Sequence, residues 1–399
     1  MYKLYCRAYQ CTLRAVSYFV PWRKPELIEG IRSLNKLPKI IRDKGIQSVL
    51  IVTDKGLVSL GMIDDLVMAL KNEGIQYTVY DKTVPNPTIH NIEEAVELFK
   101  LNKCEAIVAF GGGSPMDCAK GVGARIARPN KKISDLKGLL KIRKQIPLLL
   151  AIPTTAGTGS EATIAAVITD SETHEKYAMN DISLIPHYAV LDPMLTVKLP
   201  PHITSTTGMD ALTHAIEAYI GKSNTRETKM MSKKAIKLIF ENVYEVYING
   251  NNLEAREKMQ KASYFAGVAF TRAYVGYVHA IAHTLGGFYG TPHGLANAVI
   301  LPYVLEYYGK SVYKQLAELA ELIDIAKPED TREIKAKKFI EAIKELNRAM
   351  QIPTQLNVIQ ESDLSIMVER AYKEANPLYP VPKILSKQDL FNILNKIKA

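Results

Sequence analysis

The sequence predicts a chain in two parts: an α/β half with a Rossmann-like parallel sheet, then an all-helical half. Three observations carry this reading. In the first half, short apolar runs alternate with amphipathic helical stretches. From about residue 204 onward, strand-like runs give way to long amphipathic segments. A proline-rich joint, Asp192-Pro193 to Pro200-Pro201, separates the two patterns. With 399 residues, two domains are expected, residues 1–197 and residues 198–399.

The strands of the first half fall at residues 48–52, 77–80, 106–110 and 146–152, and helical patterns at 62–72 and 92–101 lie between the first three. Gly45 and Gly74, each opening a Gly-Ile-Gln tripeptide, stand where a helix ends in a left-handed residue before a strand begins. Buried strands alternating with helices imply parallel pairing through right-handed crossovers. The second half reads as helices over 208–220, 228–248, 254–270 and 331–350, after which Pro353, Pro377, Pro380 and Pro382 break up the tail. The first thirty or so residues are read as a β-ribbon at a subunit edge, because residues 2–20 alternate loosely between apolar and polar. A weak amphipathic membrane contact is the second reading of that segment.

Composition narrows the function. At 47% apolar and 23% charged, each half has material for a core. The net charge of +10 comes from lysines spread along helical faces, such as Lys335, Lys337, Lys338 and Lys344, with no basic arm or zinc finger, so no nucleic-acid partner is expected. Cys6, Cys11, Cys104 and Cys118 form neither a CxxC pair nor a disulfide framework, which fits a reducing cytoplasm. Lys3, Arg7 and Arg14 interrupt the N-terminal apolar residues, so no signal peptide is read. No run is long enough to span a bilayer, and no membrane partner is expected.

The strand ending at Phe110 runs into Gly111-Gly112-Gly113-Ser114-Pro115-Met116-Asp117. Three glycines admit a close ligand, Ser114 suits a helix N-cap and Pro115 the first helical position. A helix starting there points backbone N–H groups at the glycines and makes a site for a pyrophosphate. It matches neither GxGxxG nor a Walker loop, and a ligand-free tight turn is the bland alternative. Asp54, at the end of the first strand, is placed to accept from an adenosine ribose and to repel a 2′-phosphate, favouring NAD over NADP. Alone, such a residue is more often a loop-capping aspartate. The hydroxyl- and glycine-rich run Pro153 to Glu161 follows the fourth strand and lacks the Gly-x-Ser-x-Gly elbow, so Ser160 is not read as a nucleophile.

Asp210 and His214 are four apart and share a helix face among Ala211, Leu212, Ala215 and Ile216. His279 and His283 are also four apart, and His293 follows in Pro292-His293-Gly294. Singly, each histidine reads as a hydrogen-bonded core residue. Together, they would bury too many polar groups unless a shared cation satisfied them. Three imidazoles and a carboxylate with no thiolate lean towards iron(II) and leave zinc open.

These motifs resemble the iron-containing (group III) alcohol dehydrogenases of the dehydroquinate-synthase-like fold, from about Leu27 to the end. The residues that carry the likeness are 111–117, 153–158, 208–217, 279–286 and 292–294. The resemblance implies an N-terminal dinucleotide-binding domain and a C-terminal metal-binding domain. It implies that Asp210, His214, His279 and His293 bind iron, and that His283 stands near the nicotinamide and moves a proton. It places Gly112, Gly113, Ser114 and Asp117 at the pyrophosphate and Thr154, Thr155 and Thr158 along the cofactor. Lys176 falls near the ribose, Asn86 near the cofactor, and Asp54 at the position that separates NAD from NADP. The implied reaction is alcohol–aldehyde interconversion on a small primary alcohol or diol, in a homodimer or larger assembly. A dehydroquinate-synthase-type cyclase would need basic residues around a substrate phosphate. Phe270, Ala273, Phe288 and Leu295 are apolar, with Arg272 the main exception. A metal- or nucleotide-sensing protein without catalysis is the other alternative.

Overall fold

In a computed structural model, which describes residues 1–171 and 175–399, the chain divides into two compact units. One is Pro21–Lys198, and the other joins Met1–Val20 to Leu199–Ala399. The first twenty residues therefore group with the helical half, and they form no ribbon. They begin with helix α1 (Tyr2–Ser17). Residues 2–20 contain no Gly, Pro, Asn or Asp to turn a hairpin. The buried Cys6 and Gln10 are four apart, with half-buried Tyr9, Leu13 and Ser17 on the same side, which is a helical spacing.

The α/β unit runs β1 (Glu26–Glu29), α2 (Leu37–Asp43), β2 (Ser48–Val52), α3 (Lys55–Ser59), α4 (Asp64–Asn72), β3 (Gln76–Tyr80), α5 (Ile89–Leu101), β4 (Ala106–Gly111), α6 (Gly113–Ala127), β5 (Gly138–Leu139), β6 (Leu148–Pro153), β7 (Ala165–Asp170), β8 (Glu175–Asn180) and β9 (Tyr188–Leu191). Six strands pair in parallel in the order β1-β9-β6-β4-β2-β3. β2 and β4 are buried at every position, which is why they read as unbroken apolar runs. Alternate residues serve opposite faces. Leu50, Val52, Ile107 and Ala109 pack towards α5 and α6, while Val49, Ile51, Val108 and Phe110 pack towards α2 and α4. Gly45 and Gly74 have φ of +76° and +70°, the left-handed helix stops expected of them.

The strand order places the ligand loops. From β2 the chain steps outwards to β3, then returns to β4 on the other side of β2. That reversal is a topological switch point, where the loops leaving the carboxyl ends of β2 and β4 diverge and open a crevice. Asp54 follows β2, Gly111 ends β4, and Pro153 ends the neighbouring β6. A second, three-stranded sheet, β5-β8-β7, escaped the sequence reading. So did the edge strand β1 and its neighbour β9, at four residues each too short to show a period.

The helical unit continues with α7 (Pro201–Ile220), α8 (Arg226–Ile248), α9 (Leu253–Ala273), α10 (Tyr277–Tyr289), α11 (His293–Tyr308), α12 (Tyr313–Leu322), α13 (Arg332–Ala349), α14 (Leu364–Ala375) and α15 (Lys387–Ile397). α7 packs against α8, α9 and α11 and is buried without a break from residue 208 to residue 220. A helix buried all round keeps its polar side chains from water, so they must find partners inside.

Candidate functional site

Asp210, His214 and Glu217 lie at i, i+4 and i+7 on one face of α7. α10 supplies His279 and His283, and α11 begins at His293. An added Cβ on Gly294 would lie 2.3 Å from the Thr206 carbonyl oxygen of α7. Only glycine lets the first turn of α11 press onto that backbone and carry His293 to Asp210.

One donor atom from each of Asp210, His214, His279 and His293 falls within 4.8 Å of all the others. From Asp210 Oδ1 the distances are 3.5 Å to His293 Nε2, 4.0 Å to His279 Nε2 and 4.0 Å to His214 Nδ1. Tetrahedral donors about 2.1 Å from one ion would be about 3.4 Å apart, so the four are slightly open around a common point. His214 stacks on Phe270 with ring centroids 4.1 Å apart, which fixes its plane. His279 Nδ1 lies 2.6 Å from Glu217 Oε2. Burial pushes the Glu217 carboxyl up to about 8. With His279 ligating through Nε2, the neutral ring would carry its proton on Nδ1 and donate it to Glu217, which orients the ring. Glu217 also accepts from the backbone N–H groups of Gly276 (2.7 Å) and Val278 (2.9 Å). Burial, reinforced by the neighbouring imidazoles, holds His279 well below its ordinary range, so its ring is neutral, as a metal ligand must be.

Asn297 supplies the test of fit. Its Nδ2 lies 2.6 Å from Asp210 Oδ1, 3.1 Å from His293 Nε2 and 3.2 Å from His279 Nε2. An amide has two N–H groups for these three acceptors. Its own Oδ1 is buried and accepts no hydrogen bond. The amide is an incomplete substitute for a cation, and the donor set fits a divalent metal.

His283 points elsewhere. Its Nδ1 lies 2.6 Å from Glu374 Oε1, which also accepts from the Tyr379 hydroxyl at 2.8 Å. Its ring stacks on His293 with centroids 5.3 Å apart. His283 is thus a neighbour of the four-residue cluster and no part of it.

In the α/β unit the glycine loop and the 153–160 loop form one surface. An added Cβ would come within 3.0 Å of Thr158 at Gly113 and 3.4 Å of Thr155 at Gly112. Thr154 N–H donates to Gly111 O at 3.0 Å. Gly112, and not Ser114, holds the N-cap position of α6, with no side chain capping it. Ser114 sits one residue inside the helix, and its Oγ accepts from Asn86 N–H at 3.3 Å. Asn86 Oδ1 in turn accepts from Lys176 Nζ at 2.7 Å. Asp54 caps α3, accepting from Leu57 N–H at 3.0 Å, and Leu57 lies against Gly111. The capping role is therefore real, and the residue it caps, Leu57, is the one that touches the glycine loop.

Beneath the loops lies a group the sequence did not announce. Lys120 on α6 is fully buried and donates to Ser160 Oγ (3.0 Å), Thr163 O (3.1 Å), Thr163 Oγ1 (2.9 Å) and Ala165 O (2.8 Å). Ser160 Oγ donates to Asp117 at 3.2 Å. Burial lowers Lys120 to about 8 and raises Asp117 to about 6 and Glu161 to about 7, each opposed by the opposite charge nearby. Of the other unannounced residues, Glu217 and Asn297 were readable from spacing, seven after Asp210 and four after His293. Glu374, ninety-one residues from His283, carried no such signal.

A parallel α/β sheet with glycine-rich loops at its switch point and a helical unit whose four-residue cluster fits a divalent metal are the parts of a metal-dependent enzyme that uses a dinucleotide. The model for "Iron-containing alcohol dehydrogenase" matches residues 25–193, and that for "Fe-containing alcohol dehydrogenase family, C-terminal" matches residues 204–398. The chain is 39% identical over 358 residues to alcohol dehydrogenase 4 of Schizosaccharomyces pombe, covering 88% of this chain and 83% of the relative. It is 39% identical over 336 residues to a 1,3-propanediol dehydrogenase of Klebsiella pneumoniae, covering 83% and 87%. The solved structure of a 1,3-propanediol oxidoreductase superposes with a TM-score of 0.91 at 35% identity, over 94% of this chain and 99% of that one. The chain belongs to the iron-containing alcohol dehydrogenase family. It is an NAD-linked, metal-dependent alcohol dehydrogenase, and the cyclase alternative gains no support.

Proposed function

We propose that Asp210, His214, His279 and His293 hold the iron of this enzyme, and that it interconverts a small primary alcohol or diol with its aldehyde. The observation that carries the assignment is the convergence of four buried or half-buried donors on a point that Asn297 fills incompletely. When bound, the ion supplies Lewis-acid polarisation of the substrate oxygen and the nicotinamide supplies the hydride acceptor. Glu217 sets the tautomer of His279, and Phe270 braces His214. His283, held by Glu374 at Nδ1, keeps Nε2 available to take up or release the alcohol proton, a role worth about 10²–10⁴-fold in such reactions.

A small neutral substrate suits the surroundings of the cluster. Arg272 is committed to Glu227 at 3.0 Å, and Arg370 lies over the Phe288 ring at 4.7 Å, so neither is set aside for a phosphate. Diol dehydrogenases among the relatives point the same way. Gly112, Gly113, Ser114 and Asp117 are assigned to the pyrophosphate, Thr154, Thr155 and Thr158 to the cofactor's flank, and Asn86 and Lys176 to the ribose side. Four unbridged cysteines support a reducing, cytoplasmic setting, and a homodimer is the assembly proposed. The test is metal analysis of anaerobically purified protein with an NADH-linked screen of short alcohols, diols and aldehydes. About one iron per chain and turnover of a small alcohol are expected; metal-free protein with undiminished turnover would overturn the metal assignment.

Asp54 is assigned to cofactor choice. Asp54→Ser keeps an N-cap oxygen for Leu57 but removes the charge. The preference for NAD over NADP is expected to fall about tenfold or more, since a 2′-phosphate no longer meets a carboxylate. An unchanged ratio of kcat/KM values removes Asp54 from that role.

A further inference from the structure

We propose that α1 is a lipid-contact helix that lays this enzyme on an anionic bilayer surface. The reading departs from the expectation of no membrane partner and rests on features the dehydrogenase reaction does not use. The family model begins at residue 25, so α1 lies outside the part of the chain that the dehydrogenase match explains.

One side of α1 is fastened to the helical unit. Arg7 donates to the carbonyls of Val381 (2.7 Å) and Pro382 (3.1 Å), and Gln10 to those of Pro377 (3.0 Å) and Tyr379 (2.7 Å). Cys6 is buried on that side, and Tyr2 stacks on Tyr372 at 5.9 Å. These contacts fix the rotation of the helix about its axis. The opposite side carries Leu4, Tyr5, Ala8, Thr12 and Ala15, all exposed, and Phe19 stands in the turn that follows the helix, with Leu4 at 75% and Phe19 at 89% exposed. Exposed Lys3 and Arg14 run along its edge beside Arg7. A docked helix that turns an apolar stripe outwards, flanked by cations, has the build of an interface-lying helix.

Charge selects the occupant. α1 carries no acidic residue, and Lys3 and Arg14 are its exposed cations. A second copy of α1 laid on this face would bring Lys3 and Arg14 against their own kind with no carboxylate on the helix between them. Asp389 of α15 lies within electrostatic reach of Lys3, whereas Arg14 has no carboxylate on its own helix. Anionic headgroups supply countercharge along this edge, and Tyr5 and Phe19 suit the boundary between headgroups and acyl chains. Among the described residues no helix is long and apolar enough to cross a membrane, so the contact is one of lying on the surface.

The experiment is co-sedimentation of the full-length, iron-loaded enzyme with vesicles of phosphatidylcholine alone or with added phosphatidylserine. Binding is expected only to the anionic vesicles, and raised salt should weaken it. The double variants Leu4→Asp/Phe19→Asp and Lys3→Gln/Arg14→Gln should each bind at least about tenfold more weakly. Both should keep wild-type alcohol oxidation, which separates this inference from the catalytic assignment. Failure to sediment with anionic vesicles, equal binding to both vesicle types, or binding that both variants retain would overturn it. So would a smaller assembly for Leu4→Asp/Phe19→Asp in light scattering, because the face would then belong to another copy of the chain.

Discussion

His214→Ala is expected to lose iron and activity together while keeping the fold. His214 supplies one of four donors, and its ring is held against Phe270 on a helix buried from residue 208 to residue 220. Alanine has the highest helix propensity, so α7 itself survives the exchange. What is removed is a neutral imidazole in a site where each remaining donor is already placed. Lewis-acid polarisation of the substrate oxygen is worth several kcal/mol, and about 1.4 kcal/mol corresponds to tenfold in rate. Turnover should therefore fall by at least about 10³-fold, alongside iron content measured on anaerobically purified protein. Unchanged circular dichroism would show that the loss is local. Wild-type iron content or near-normal turnover in this variant would show that the cluster does not hold the catalytic ion.

Much of this site was legible because its chemistry is local in sequence. Asp210 and His214 are one helical turn apart, as are His279 and His283, and a helix places such pairs on one face whatever surrounds them. Which imidazole departs from the cluster was not legible from spacing. His283 is turned away by Glu374 and Tyr379, whose positions depend on how α14 and the chain after it pack against α10. In the α/β unit, β2 and β4 declared themselves because strands buried on both faces are apolar throughout. β1 and β9 did not, since a strand of only four residues carries too little pattern to show a period. α1 was misread because its buried stripe and its exposed apolar stripe together mimic alternation; only the four-residue step from Cys6 to Gln10 separates the two periods.

Lys120→Met is expected to be the most destabilising exchange in the α/β unit and to weaken cofactor binding with it. Burial lowers this lysine only to about 8, so at neutral pH the ammonium is retained, with Ser160, both oxygens of Thr163 and the Ala165 carbonyl arranged to receive it. An ammonium has three N–H groups, and four acceptors lie in reach, so none of its donors is idle. Methionine fills similar volume but leaves those oxygens without their donor and leaves the Asp117 and Glu161 carboxyls without the nearby positive charge. Removing one partner from a buried, hydrogen-bonded charge group costs about 3 kcal/mol or more. For a unit of this size that lowers Tm by roughly 6–12 °C. The same four contacts tie the 153–165 segment to the helix that begins at the glycine loop, so Thr154, Thr155 and Thr158 lose their fixed position against Gly112 and Gly113. KM for NAD should rise while bound iron stays at the wild-type level, because the metal cluster lies in the other unit. A variant with unchanged Tm and unchanged KM for NAD would show that Lys120 neither holds the loops together nor balances the buried carboxyls.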